Sequence, residues 1–196
     1  VYGLLSLAFS PLVSIILVVI VHLFLTGAFH EDGLADSVDA LGGGYTVEKR
    51  LAIMKDSRIG TYGTVTLVMA LLLKVTLLVE ANQIWLALLA APAVSRLTPL
   101  LLMATLNYVT DPDKSKSKPV ADGFSTARLL AAVGFVMVLT GTLSFWQPFL
   151  ITGTLAAVLL VALCWGAYLK RQLGGYTGDA LGASVVLSEL VLLLFL

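Results

Sequence analysis

The stretch that decides the fold is residues 27–63, GAFHEDGLADSVDALGGGYTVEKRLAIMKDSRIGTYG. It begins where one long apolar run stops and ends where the next one starts. Within it lie Asp32, Asp36, Asp39 and Asp56, together with four Lys or Arg side chains. The rest of the chain is mostly Leu, Val and Ala, so this concentration of charge predicts a catalytic surface beside a membrane.

The composition is that of a membrane protein. Hydrophobic residues make up 59% of the 196 residues and charged residues 12%, whereas soluble domains carry about 25% charged residues. We therefore expect an all-α polytopic membrane protein whose residues 1–196 form a single domain. The net charge is zero, so nucleic acid is not an expected partner.

The apolar runs predict the membrane spans. A spanning helix needs about 20 mostly apolar residues, and about six stretches qualify: 4–26, 61–79, 84–106, 127–146, 149–169 and 181–196. The chain opens directly into apolar sequence without a Met, so we expect a seventh span upstream of residue 1.

The distribution of positive charge predicts the topology. Connections 27–60, 107–126 and 170–180 hold, within them or at their edges, ten of the twelve Lys and Arg residues. The positive-inside rule places these connections in the cytoplasm, and alternation of six spans puts all three on one side independently. We expect a multi-pass protein of the cytoplasmic (inner) membrane with its active site facing the cytoplasm.

Smaller signals mark local structure. Apolar residues at helical spacing in 46–55 predict a short amphipathic helix that lies at the membrane surface. Ser125 is expected to cap the fourth span, and 111–119 reads as a solvated, low-complexity loop. Cys164 has no cysteine partner in the chain and is predicted to be a packing residue.

The aspartates have helical spacing. Asp32, Asp36 and Asp39 fall within about 60° of one another on a helix. Three carboxylates on one stripe repel each other, and hard oxygen ligands of this kind suit Mg²⁺ or Mn²⁺ together with substrate phosphates. The alternative is a solvated helix face.

Two further segments carry charge beside glycine or hydroxyl groups. Arg58 is suited to clamping a phosphate, while Asp56 either joins the site or forms a structural pair with Arg58. Asp179 opens a helix after a glycine-rich turn, and the topology places it on the same membrane face as the aspartate stripe. The small residues around it also permit close helix packing.

Charges inside the predicted spans are functional candidates. Arg96 is expected in a proline-kinked span, facing phosphate or a carboxylate. Glu189 is expected to be its partner or a substrate contact, and Lys74 to reach the outer membrane surface without a role. His22 is predicted to pack, and His30 to accept a proton or orient a substrate.

Several motifs together resemble one enzyme family. Residues 30–39 (HEDGLADSVD), 53–61 (IMKDSRIGT), 95–96 (SR) and 174–183 (GGYTGDALGA) closely resemble the cobalamin (5′-phosphate) synthases, or adenosylcobinamide-GDP ribazoletransferases. The motifs occur in the same order over nearly the whole chain. One departure is Ala40, which stands where the family pattern leads us to expect a glycine.

The resemblance implies a reaction. The family joins α-ribazole, or its 5′-phosphate, to adenosylcobinamide-GDP and releases GMP, with Mg²⁺, at the cytoplasmic membrane. Partners then include membrane lipid, with homo-oligomers or other cobalamin-assembly enzymes left open. Our predicted catalytic residues are Asp32, Asp36, Asp39, Asp56, Arg58 and Asp179, with all five aspartates as metal ligands. Our predicted substrate-binding residues are His30, Gly33, Lys55, Ser57, Arg96, Thr177, Gly178 and Glu189.

Two other classes compete with this interpretation. A CDP-alcohol phosphotransferase uses an aspartate-rich helix, but its pattern wants an Ala-Arg pair after Asp-Gly, and here Leu34-Ala35-Asp36 follows. An ion-coupled transporter is less favoured, because its carboxylates would lie at the membrane midplane in broken helices.

Overall fold

The structure, a computed structural model, describes residues 1–109 and 124–196. The predicted loop at 111–119 lies outside these ranges. The regular elements of the described residues are helical, which confirms the all-α class. They are α1 (Tyr2–Leu5), α2 (Pro11–Thr26), α3 (Phe29–Gly43), α4 (Val47–Met54), α5 (Thr61–Glu80), α6 (Ile84–Ser95), α7 (Leu97–Thr105), α8 (Thr126–Leu143), α9 (Leu150–Leu155), a π-helical turn (Ala156–Leu160), α10 (Val161–Leu173) and α11 (Gly178–Leu193).

Four helical segments are long and apolar enough to cross a membrane: Thr61–Glu80, Ile84–Thr105, Thr126–Leu143 and Leu150–Leu173. A fifth is added if α2 and α3, which meet at an 84° bend, count as one broken span. The stretches 4–26 and 181–196 correspond largely to α2 and α11, and each of these helices has 16 residues. The count of six spans stays a prediction.

The outer surface of these helices is apolar. On α8, for example, Phe135, Met137 and Val138 are each more than 60% exposed. Soluble proteins rarely expose contiguous apolar surface on this scale. The outward-facing side chains therefore fit a hydrocarbon surrounding, as expected of a membrane protein.

Helix α11 forms the centre of the bundle. Most of its residues are buried, and it packs against α3, α5, α6, α7, α9, α10 and the π-helical turn. Small residues, among them Gly182, Ala183 and Ser184, let these neighbours approach closely. The hydroxyls of Thr98 and Ser188 lie 2.6 Å apart and link α7 to α11 in the interior.

A buried ion pair connects α5 to α11. Lys74 Nζ donates to Glu189 Oε2 at 2.9 Å, and each side chain is 7% exposed. This corrects two expectations: Lys74 does not reach the outer surface, and the basic partner of the Glu189 carboxylate is Lys74 rather than Arg96. The Lys74 and Glu189 side chains can be buried only together, because an isolated charge in the apolar interior would be strongly destabilising.

The predicted amphipathic helix is confirmed as α4. Thr46 caps it by accepting a hydrogen bond from the Lys49 amide at 3.2 Å. Met54 and Leu51 pack in one cluster with Leu169 of α10, so part of the apolar face of α4 is covered by protein. Ser125 likewise caps α8, as predicted, by accepting from the Arg128 amide.

The three charged connections contact one another. Arg50 Nη1 donates to the carbonyl oxygen of Gln172 at 2.8 Å, which joins the first connection to the third. Tyr176 N–H donates to Asn107 O at 2.9 Å, and Val109 N–H donates to Tyr176 O at 3.1 Å. These bonds join the third connection to residues 107–109 of the second, so the described parts of all three connections lie at one end of the bundle.

We expect Lys74→Met to lower the free energy of unfolding by about 3 kcal/mol, because it leaves Glu189 buried without a counter-charge. The double variant Lys74→Met/Glu189→Leu should recover most of this loss, since paired apolar replacements of buried ion pairs are often neutral. Denaturation of the detergent-solubilised protein measures both. Equal stability of the single variant and the wild type would contradict this account of the pair.

Candidate active site

The site is built on a close crossing of α3 and α11. A Cβ atom placed on Gly33 would lie 2.6 Å from the backbone oxygen of Asp179, and one on Gly182 would lie 3.3 Å from the backbone oxygen of Phe29. Glycine permits these approaches because it has no Cβ. The crossing holds Asp179, in the first turn of α11, against the helix that carries the aspartate stripe.

The carboxylates of Asp32, Asp36 and Asp179 lie near one another at this crossing. Burial, followed by the nearby charges of Asp32, Asp179 and Asp39, raises the pKa of Asp36 to about 7. The pKa of Asp179 is raised by its burial and then by Asp32. The described residues form two ion pairs, Lys74–Glu189 and Arg58–Asp56. Neither pair includes these carboxylates, which therefore have no basic partner within the described part of the chain. The structure therefore brings Asp179 to the aspartate stripe, as the topology predicted.

Asp39 belongs to the same stripe but has a different environment. It is buried, and its two carboxylate oxygens accept hydrogen bonds from the amides of Gly60 at 2.6 Å and Gly63 at 2.8 Å. These amides lie at the start of α5, where helices have unsatisfied N–H groups. Asp39 therefore caps α5 and fastens it to α3; its assignment as a metal ligand stays a prediction.

Asp56 and Arg58 form an exposed pair. The Arg58 guanidinium donates to both oxygens of Asp56, with a shortest distance of 2.7 Å. This bonding lowers the pKa of Asp56 to about 2. Of the two alternatives for Asp56, the structure therefore shows the pair with Arg58. Lys55 and Ser57 in the same turn are also exposed. Among the described residues, no hydrogen bond joins this turn to Asp36 or Asp179.

His30, Arg96 and Gly178 line a common cavity of about 260 Å³ between α3, α7 and α11. Arg96 stands where the span breaks into α6 and α7, between Pro92 and Pro99, as the proline pattern predicted. Its guanidinium donates to the Pro92 carbonyl oxygen. Burial, and then the charge of Arg96, lowers the pKa of His30, which favours a neutral imidazole.

Thr177 is fully engaged in the glycine-rich turn. It is 2% exposed and caps α11 by accepting from the Ala180 amide at 3.2 Å, while its hydroxyl contacts Met54 Sδ at 3.6 Å. Its predicted substrate contact stays a prediction. Glu189, also predicted to touch substrate, is held by Lys74.

Two residues near the site have environments that the sequence did not predict, Glu31 and Arg50. Glu31 is 5% exposed and its Oε2 atom has no hydrogen-bond partner among the described residues. It is next to Asp32 but points about 100° away around α3, so the spacing of the stripe omitted it. Arg50 lies on α4, and nothing in the local sequence pattern indicates that it reaches Gln172.

The described residues contain no group of three or more His, Cys, Asp or Glu side chains arranged to hold a metal ion by themselves. Mg²⁺ often takes only one or two protein carboxylates and completes its shell with water and substrate phosphate. Asp32, Asp36 and Asp179 supply hard oxygen donors whose mutual repulsion a cation would relieve. The donor set therefore fits Mg²⁺ bound together with a phosphorylated substrate.

The apolar helices, together with free carboxylates where three charged connections meet, define a helical membrane protein with an acidic site at one end. The model of the cobalamin-5-phosphate synthase family matches residues 1–196, and the chain belongs to this family.

Individual relatives agree. An adenosylcobinamide-GDP ribazoletransferase of Vibrio parahaemolyticus is 44% identical over 195 residues, covering 97% of this chain and 72% of the relative. The enzyme of the same name from Shewanella woodyi is 47% identical over 191 residues, covering 94% and 72%. A Vibrio cholerae relative is 43% identical and covers 100% and 75%. No solved structure matches the chain.

We expect Gly33→Ala to lower the free energy of unfolding by about 1–3 kcal/mol, because the added methyl overlaps the backbone of Asp179. The control is Gly134→Ala in α8, where a Cβ meets nothing within 4 Å. There, alanine should stabilise the helix by up to about 1 kcal/mol. Thermal unfolding in detergent measures both changes. A similar shift for the two variants would show that the crossing is not tightly packed.

Proposed function

We propose that this chain is an adenosylcobinamide-GDP ribazoletransferase that joins α-ribazole, or its 5′-phosphate, to adenosylcobinamide-GDP. The observation that carries the proposal is the meeting of Asp32, Asp36 and Asp179 at the α3–α11 crossing. Unpaired carboxylates on one surface are suited to a metal-bound diphosphate. The printed names of relatives 43–47% identical to the chain support the same reaction.

The reaction replaces a phosphoanhydride bond of a phosphorus atom by a phosphate ester. The ribose 3′-hydroxyl oxygen of α-ribazole attacks the phosphorus attached to the corrinoid side chain. The bond from that phosphorus to the bridging oxygen of the diphosphate breaks, and GMP leaves with the electron pair. The proton of the attacking hydroxyl passes to water. The product is adenosylcobalamin, or its 5′-phosphate.

The residues have distinct tasks in this proposal. Asp179 and one of the α3 carboxylates Asp32 and Asp36 would hold Mg²⁺, which when bound would neutralise charge on the diphosphate. Arg96 neutralises a phosphate oxygen from the side of the cavity, and Arg58 is able to do so from the exposed turn. Asp39 keeps the start of α5 against α3, so that the stripe stays in place.

The site is proposed to face the cytoplasm from the inner membrane. The hydrogen bonds Arg50–Gln172 and Tyr176–Asn107 support a common side for the three connections that are rich in Lys and Arg. The same end carries the carboxylates. Its position argues against an ion-coupled transporter, whose carboxylates would lie near the midplane.

The test is release of GMP from adenosylcobinamide-GDP and α-ribazole by membranes that contain the chain, with Mg²⁺ and with a chelator. The wild type should turn over only with Mg²⁺. We expect Asp36→Asn to reduce the Mg²⁺-dependent rate by about 100-fold or more, because charge neutralisation in the transition state depends on it.

Glu48→Gln is the matched control, since Glu48 is a fully exposed carboxylate on α4. Its rate should equal that of the wild type. Absence of turnover by the wild type would overturn the assignment of the reaction. Full Mg²⁺-dependent activity of Asp36→Asn would overturn the metal role of the stripe while leaving the reaction standing.

A further inference from the structure

The cavity between α3, α7 and α11 combines an apolar lining with one cation. Phe29, Leu100, Met103 and Val185 contribute apolar surface, and the polar side chains of the lining are those of His30 and Arg96. Ligand pockets that enclose a drug-sized molecule measure about 300–1,000 Å³, so a volume of about 260 Å³ is slightly below that range. One nucleoside fits this description, whereas a corrin macrocycle is far larger.

Arg96 is available to an anion. Its guanidinium has five N–H donors, and among the described residues one of them is used, by the Pro92 carbonyl. No carboxylate lies within ion-pair distance of it in the parts of the chain that the structure describes. A half-buried guanidinium without a counter-charge suits bidentate binding of a phosphate.

The rim of the cavity adjoins the carboxylates. Gly178 lines the cavity, and Asp179 is the next residue, so their Cα atoms are about 3.8 Å apart. A ligand that fills the cavity therefore lies beside the first turn of α11, which carries Asp179.

The two substrates of the proposed reaction differ in how well they suit this lining. Guanine carries several hydrogen-bond donors and acceptors, and burying them without partners is costly. A benzimidazole-type base is flat and largely apolar, so it loses little on entering. We propose that the cavity binds the ribazole substrate, with its base among Leu100, Met103 and Val185 and its 5′-phosphate on Arg96.

This inference rests on the proposed function and is tested by direct binding. Equilibrium dialysis with the full chain in detergent gives Kd for α-ribazole, for its 5′-phosphate and for adenosylcobinamide-GDP, each alone. Leu100→Phe fills the cavity. Leu101→Phe is the matched control, because the neighbouring Leu101 lines a separate apolar cavity with Val136 and Val158.

We expect Leu100→Phe to weaken binding of both ribazole compounds by at least about tenfold, and Leu101→Phe to leave it within about twofold. Arg96→Gln should weaken binding of the 5′-phosphate by about tenfold and change that of unphosphorylated α-ribazole little, with Arg96→Lys recovering part of the loss. Binding of adenosylcobinamide-GDP should stay at the wild-type value in Leu100→Phe and Leu101→Phe.

One outcome is that the wild type releases GMP while Leu100→Phe and Arg96→Gln both bind the ribazole compounds as tightly as the wild type. That outcome would overturn this inference and leave the proposed function standing. The same holds if these variants weaken binding of adenosylcobinamide-GDP instead, or if native mass spectrometry shows that Leu100→Phe expels only a lipid. Should the wild type neither bind a ribazole compound nor release GMP, the proposed function itself fails. The Arg96 variants keep the test decisive if Leu100→Phe does not fold.

Discussion

The approach of α3 to α11 at Gly33 and Gly182 is the constraint on which the site depends. Side chains larger than hydrogen at Gly33 would overlap the backbone of Asp179. The contact brings a carboxylate from the third connection to two carboxylates of the first. These segments are more than 140 residues apart in the chain, so the acidic site exists only in the assembled bundle. α11 is mostly buried and holds this contact from the centre.

Charged groups in this chain fall into two kinds. Some are neutralised by the protein itself: Lys74 with Glu189 in the interior, and Asp39 by two amides at the start of α5. Others, namely Asp36, Asp179 and Arg96, are partly buried without an opposite charge among the described residues. In an apolar protein such groups are costly. The first kind joins neighbouring helices, and the second kind is the set to which we assign phosphates and a cation in the proposed function.

Much of the architecture could be predicted because it depends on local patterns. Hydropathy located the four helical segments that are long enough to span, and the i, i+4, i+7 spacing located the acidic helix. Charge asymmetry predicted that Asp179 joins it. Pairings between distant helices could not be predicted in this way. The Lys74–Glu189 pair depends on the relative rotation of α5 and α11, which no local pattern encodes. The capping role of Asp39 had a signal in Gly60 and Gly63, whose missing side chains make room for its carboxylate.

The central claim is that α3 and α11 contribute to one cation site. Binding of Mn²⁺, followed by its electron paramagnetic resonance signal, tests this in the wild type, Asp36→Asn, Asp179→Asn and the double variant, with adenosylcobinamide-GDP present. Residues that share a ligand show non-additive effects in a double-mutant cycle. We predict that each single variant weakens Mn²⁺ binding and that the double variant loses less than the sum of the two. Wild-type affinity in Asp179→Asn, or strictly additive losses, would contradict a shared site.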